Sequence, residues 1–322
     1  MATTRWSAGW RAVVGVTTVI VTACGSPPSS STVKTPSGTA STAAHPDTAS
    51  VWRAPTDQEL PTGPLRVSIL RGRALLMHTP DSLPKYAGGN LRCASCHLNA
   101  GLTANAIPLT AVQARFPKYM DRTGAVILLA DRVNYCFTRS LAGRAIPTNS
   151  REMTDLLAYL AFISRGAPAG GHVTGEGMGT LARLTPDTAH GRALFMSTCQ
   201  VCHGPNGEGS TVVPALWGPK SFSVGASMAR LERAATFIQH NMPLGRGGSL
   251  TPQQAYDLSA YINSHARPDS PGKEHDWPAG GAPFDVPYDT KGHLAFNPPP
   301  VLPRRDTRGM IVPAPPSVLT HP

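Results

Sequence analysis

The chain has no long hydrophobic run. An apolar stretch near its start, "AVVGVTTVIV" at residues 12–21, is only about half of the ~20 residues a helix needs to span a bilayer. Acidic residues are also scarce: 19 Asp and Glu oppose 29 Lys and Arg in 322 residues, giving a formal net charge of +10. A surface so short of carboxylates attracts anions, whether nucleic acid, an anionic membrane or a small anionic substrate, and charge alone does not choose among them. Cysteine is sparse too. There are six, few enough that any regular grouping among them carries weight.

What the N-terminus does contain narrows the compartment. Arg5 and Arg11 lead into the apolar stretch, which has the form of a signal-peptide core and closes on "VTAC". This resembles a bacterial lipoprotein cleavage box, with Cys24 as the acylated first residue of the mature protein; secretory cleavage nearby with an incidental Cys24 is the alternative. Two or more acyl chains give stable anchoring where one is marginal. An exported protein, periplasmic or otherwise extracytoplasmic and lipid-anchored to a membrane, is the expectation. The Ser/Thr/Pro-rich stretch after Cys24 lacks large apolar residues and cannot offset its ordering entropy, so it reads as a tether. The C-terminal stretch, with "NPPPVLPRR" and "VPAPPSVLTHP", favours extended polyproline conformations, and "HDWPAGGAPFDVPY" within it offers anchors that pack back on the folded part.

Four of the cysteines fall in two CxxCH motifs: Cys93, Cys96 and His97 in "CASCH", and Cys199, Cys202 and His203 in "CQVCH". This is the pattern of covalent c-type haem attachment, in which both thiols add to the porphyrin and the adjoining imidazole binds the iron. A zinc site would need further ligands at matching spacing, and a thioredoxin-like site would need a βαβ context that neither motif has. Two covalently bound haem c groups are therefore expected, in a compartment suited to their attachment.

The surroundings of the motifs repeat. "GRALLM" (72–77) recurs as "GRALFM" (191–196) ahead of each motif, and "DLLAYLAFIS" (155–164) is echoed by "DLSAYINSHA" (257–266) after it. Thr148, Asn149 or Ser150 is placed to cap the first closing helix, and Thr251-Pro252 opens the second. Each unit reads as helix, CxxCH, irregular wrapping segment and closing helix, the order of small class I cytochromes c. The expected fold is all-α with little or no sheet, as two tandem class I cytochrome c domains. The expected division is 1–23 signal peptide, 24–64 tether, 65–166 first domain, 167–185 linker, 186–268 second domain and 269–322 proline-rich tail.

Each iron needs a ligand on its other face. In the second domain the candidates are Lys220, Met228, His240 and Met242. Met242 is favoured because "NMPLG" sets it before a proline, just ahead of the closing helix. Met228 falls on an apolar helical stripe with Leu231, Ala235 and Ile238 and reads as a core methionine. The first domain has no such "MP". Its remaining cysteine, Cys136, lies at a comparable distance after its motif and has no partner left for a disulfide. Spacing alone leaves it balanced between a buried thiol and a haem ligand. Seven cations in the same region, Arg115, Lys118, Arg122, Arg132, Arg139, Arg144 and Arg151, tilt the reading toward a stabilised thiolate and an oxyanion site. The outer ones, such as Arg115 and Lys118, read equally well as a solvated basic face.

The run "CASCHLNAGL…IPLTAVQARFPKYMDRTGAVILLADRVNYCFTRSLAGRAIP", followed by "CQVCHGPNGEG", "VVPALWGPKSF", "GASMARL" and "FIQHNMPLG", resembles the dihaem thiosulfate dehydrogenases, which couple two thiosulfates into tetrathionate. The likeness covers both domains. It implies a first haem with His97 and Cys136 as axial ligands and site of catalysis, Arg122, Arg132 and Ser140 around the anion, and a second haem with His203 and Met242 passing electrons to an external acceptor such as a soluble or membrane cytochrome c. Arg139 is read beside Arg132 as a further anion grip. Chemistry at Cys136 through a covalent adduct, attacked by a second thiosulfate, is the expected mechanism; no nucleic acid is expected as partner. Competing readings are a dihaem electron carrier, a dihaem peroxidase, and an enzyme for another sulfur oxyanion such as sulfite. The sequence departs from the family's common phrase at Thr138 and at Ala142, and carries Asn241 where some members have a lysine beside the distal methionine.

Overall fold

A computed structural model of the protein describes residues 52–290 and, further on, two antiparallel two-residue strands, Arg304–Arg305 and Ile311–Val312. The expected signal peptide and acylated Cys24, with most of the tether and the far part of the tail, lie outside the described residues. Among the described residues, no helix is long and apolar enough to cross a membrane.

Helix α1 (Pro64–Met77) starts with proline at its first turn, where the missing N–H costs nothing. A small hairpin of β1 (Lys118–Met120) and β2 (Ala125–Ile127), paired Lys118↔Ile127, is the one sheet of the first domain among the described residues. Helix α2 (Leu129–Tyr135) follows it, and α3 (Arg151–Phe162) closes the domain. Of the three candidate caps for α3, Ser150 is the one used: its hydroxyl accepts from the Met153 N–H at 3.2 Å.

The second domain repeats the frame with α4 (Thr188–Leu194), α5 (Leu231–Asn241) and α6 (Pro252–Asn263). Thr251 and Gln254 form a reciprocal capping box at the start of α6, with proline at the next position. The sequence repeat acquires a physical meaning at the helix crossings. A side chain at Gly72 would overlap the Asp155 carbonyl and stand 2.9 Å from Tyr159 Cβ; one at Gly191 would overlap the Asp257 carbonyl and stand 3.0 Å from Tyr261 Cβ. The repeated "GRAL" is thus needed for close approach of the first and last helix of each domain.

The domains share their cores. Phe222, Ala226 and Ala229, from the second half of the chain, are buried in the first domain's cluster with Leu91, Phe137, Leu141 and Ile146. The Ser223 hydroxyl donates to the Arg139 carbonyl. Met228 corrects the sequence reading, for it does not lie on a helical stripe. The extended backbone at Arg230 delays α5 until Leu231, so Met228 sits in a short turn before it. Its side chain packs between the first domain's core and a small cluster of Ala106, Met178 and Phe237.

Residues 268–290 return to the folded part. Ser270, Asp276 and Trp277 are buried, the Val224 N–H donates to the Pro268 carbonyl, and Asp285 pairs with Arg230 at 2.7 Å while accepting from the Glu232 N–H.

Candidate active site

Each CxxCH motif is shaped around its histidine. His97 Nδ1 lies 2.6 Å from the Ile107 carbonyl, and His203 Nδ1 lies 3.0 Å from the Pro214 carbonyl. A backbone carbonyl fixes the ring and takes the Nδ1 proton, which leaves Nε2 as a lone-pair donor, the arrangement that metal-binding imidazoles use. None of the four motif cysteines is in a disulfide among the described residues. Burial pushes the Cys93 thiol up to about 11 and Cys96 up to about 12. Thr79, fully buried, accepts from the Cys93 N–H at 3.0 Å and donates toward its sulfur at 3.4 Å. Two thiols and one oriented imidazole per domain fit a covalently attached haem.

Cys136 follows α2 and opens a wide turn, Cys136–Ser140, in which the Leu141 N–H reaches back five residues to the Cys136 carbonyl. Such widened turns recur at functional sites. The thiol stands within hydrogen-bond reach of His97 and accepts from Arg132 Nη1 at 2.8 Å. Burial alone would push it up, as it does its neighbours. Arg132 and His97 overcome that effect and bring Cys136 down to about 7. The Cys136 thiol, the Arg132 guanidinium and the His97 imidazole are therefore brought together in the first domain.

The seven cations separate by environment. Arg132 faces Cys136. Arg122, on the hairpin turn, donates from Nη1 to the Gly225 carbonyl at 2.8 Å and stacks over Trp277 at 4.4 Å. Tyr135, adjacent to Cys136, lies in the fields of Arg139, Arg122 and Arg132 together. Arg139 corrects the expectation of a second anion grip. It is buried, ion-paired to Asp276 and hydrogen-bonded to Ser270 at 2.9 Å, so its guanidinium is already engaged within the protein. Ser140 ends that turn half-buried. Arg115 pairs with Glu176 of the linker, whereas Lys118, Arg144 and Arg151 are exposed.

Around the second motif, Met242 packs against the second domain's core of Phe195, Ile238 and Leu258 and also joins the Ala106–Met178–Phe237 cluster. His240 is engaged with the Thr236 carbonyl at 2.9 Å, and Lys220 is exposed. Of the four candidates, Met242 is the one packed against the Phe195–Ile238–Leu258 cluster.

Comparison with known proteins places this geometry. Residues 85–169 match a family model described as the SoxA/TsdA cytochrome c domain, and residues 186–262 match one described as cytochrome c oxidase, cbb3-type, subunit III. A thiosulfate dehydrogenase of Allochromatium vinosum is 43% identical over 220 residues, covering 65% of this chain and 82% of the relative. One of Psychrobacter arcticus is 39% identical over 255 residues, covering 76% and 78%. The chain belongs to the thiosulfate dehydrogenase family. The solved thiosulfate dehydrogenase (TsdBA) of Marichromatium purpuratum, in its as-isolated form, superposes with a TM-score of 0.67 at 34% identity over 74% of this chain; this chain spans 55% of that longer one. Two cytochrome c domains in tandem make the protein a dihaem c-type cytochrome.

The departures from the family phrase become interpretable. Ala142 has φ 50°, a left-handed conformation that asparagine adopts more readily than alanine. Thr138 is buried and its hydroxyl bonds the Asn134 carbonyl at 3.0 Å, so the position faces α2. The Asn241 amide is spent on the carbonyls of Phe237 and Asn105, tying the two domains together. Sequence reasoning missed Gly225 and Asp276, which meet the arginines across more than a hundred residues. The only trace was the acidic and aromatic "HDWP" inside a proline-rich stretch.

Proposed function

We propose that the protein oxidises two thiosulfates to one tetrathionate in its first domain and passes the two electrons singly through the second to an external cytochrome or similar acceptor. The observation that carries this reading is Cys136 held between His97 and Arg132. A plain electron carrier has no use for a half-buried thiol with its own guanidinium. In this reading Cys93, Cys96, His97 and Cys136 would hold the first haem, and Cys199, Cys202, His203 and Met242 the second. The haems, when bound, supply two one-electron stores.

The protein's own groups do the rest. Arg132 and Arg122 attract the thiosulfate dianion, Ser140 offers a hydroxyl beside it, and the outer sulfur is directed at Cys136. A sulfur–sulfur bond then forms between Cys136 and that outer sulfur, giving Cys–S–S–SO3⁻ and releasing two electrons. A second thiosulfate attacks the outer sulfur of this adduct. The Cys–S bond breaks, the cysteine leaves as thiolate, and tetrathionate departs with atoms and charge balanced. Arg132 stabilises the thiolate in both steps.

The chain is read as exported, since that is where c-type haem is attached, with Cys24 as lipid anchor. Purified protein mixed with thiosulfate and ferricyanide tests the activity. Tetrathionate is expected, and haems that dithionite reduces but thiosulfate does not would leave only an electron carrier. Peroxide turnover would point to a peroxidase. Cys136→Met tests the site: the EPR of one low-spin haem should change and thiosulfate oxidation collapse. An unaltered spectrum and rate would remove Cys136 from it.

A further inference from the structure

The matched family segments end at residues 169 and 262. Beyond them, a buried carboxylate sits where the first domain's arginines converge. Asp276 is 1% exposed. Its Oδ1 pairs with Arg139, its Oδ2 accepts from the Tyr288 hydroxyl at 2.7 Å, and the Tyr135 hydroxyl lies 3.3 Å from Oδ1. Arg122 approaches the same carboxylate through Nε at 3.9 Å, an ion-pair distance too long for a hydrogen bond.

The next residue acts on the same guanidinium. The Trp277 ring covers Arg122 at 4.4 Å, and the Trp277 N–H donates to the Arg122 carbonyl at 2.9 Å. Trp277 holds φ 52°, a conformation rarely adopted by a bulky side chain and maintained only where surroundings enforce it. Arg122 is thus held at three points: Nη1 on Gly225, Nε toward Asp276, and its face on Trp277. Nη2 takes no protein acceptor among the described residues. The charges decide what that leaves. One carboxylate faces two guanidiniums, and the closer, more buried Arg139 consumes it. Arg122 is oriented but not neutralised.

We propose that Asp276 is a positioning residue for the thiosulfate site, fixing Arg122 together with Trp277 so that its unspent edge meets the anion. This rests on the assignment of Arg122 to that site. It brings the segment after the second domain into substrate recognition in the first.

The sign of the effect separates this role from general electrostatics. Removing a negative charge near an anion site would by itself tighten anion binding. Loss of positioning weakens it. The test uses full-length dihaem protein with Asp276→Asn, Trp277→Leu, Arg122→Ala and the Asp276→Asn/Arg122→Ala pair, each checked for haem content and melting temperature. Thiosulfate binding to the fully reduced protein, which cannot turn over, is read by calorimetry beside steady-state KM and kcat.

Asp276→Asn should raise Kd and KM about tenfold, and Trp277→Leu should raise them severalfold. In the Arg122→Ala background, Asp276→Asn should add less than about twofold, since it acts through the missing group. If Asp276→Asn does not accumulate as folded protein, Trp277→Leu decides alone. Tighter or unchanged binding in the single variants, or full additivity in the pair, would overturn the proposal. Wild-type protein that binds thiosulfate without forming tetrathionate would sink the enzymatic reading and leave the Kd comparison intact.

Discussion

Replacing Arg132 by methionine removes the cation from Cys136 while keeping most of the side chain's bulk. The guanidinium lies one helical turn before the cysteine and donates to its sulfur at 2.8 Å. Burial alone would push the Cys136 thiol up; Arg132, together with His97, brings it down to about 7 instead. Hydrogen bonds to charged groups contribute about 1.5–3 kcal/mol. At 1.36 kcal/mol per factor of ten, Arg132→Met should lower kcat/KM for thiosulfate by roughly 10- to 150-fold. Arg132→Lys keeps the charge but not the fork and should recover part of the loss. The assay is thiosulfate-dependent ferricyanide reduction, normalised to haem content, with dithionite reduction of both haems as control. A kcat/KM for Arg132→Met within about threefold of wild type, with both haems present, would refute the argument.

Two further perturbations probe the frame and the second haem. Gly191→Ala should gain up to about 1 kcal/mol of helix propensity in isolation, yet its methyl group would overlap the Asp257 carbonyl. Overpacking costs about 1–3 kcal/mol or more, so the melting temperature should fall, and a rise would show that the crossing can relax. Met242→Leu should lower one haem's reduction potential by on the order of 0.1 V, within the ~0.8 V span that axial ligands set. Met228→Leu should leave both potentials in place; potentiometric titration distinguishes them, and the reverse pattern would exchange the two methionines.

The parts legible in sequence were those whose chemistry is local. CxxCH must place two thiols and an imidazole within one turn. The crossing glycines showed as a repeat because the same close approach is needed twice, at Gly72 and Gly191. Cys136 stood out as the cysteine without a sequence partner, but elimination left it balanced between a buried thiol and a haem ligand until the surrounding cations were weighed. The two arginines flanking it looked equivalent because each stands within a helical turn of it. Arg132 lies on α2 and reaches the sulfur, but the wide turn after Cys136 breaks the helical period and sends Arg139 to Asp276. No local pattern marks such a switch. The Gly225 and Asp276 contacts were illegible for a different reason: they join residues 103 and 137 positions apart, with no periodicity to betray them.

These long-range contacts bear on how a two-electron oxidation is divided between two one-electron centres. Transfer between the domains needs a fixed separation, and a glycine-rich linker would seem a poor way to supply one. The linker, however, is held around residues 175–178. The Asn105 N–H donates to the Gly175 carbonyl and the Ile107 N–H to that of Gly177, both at 2.9 Å. Met178 is buried with Phe237 and Ala106, in a cluster that Leu98, Ile107, Met228 and Met242 complete. Ile107 is also the residue whose carbonyl orients His97. The same few residues therefore set the proximal imidazole of one domain and abut the distal methionine candidate of the other. A shift of the linker would disturb both at once, so the two domains are packed together through these residues and not merely tethered.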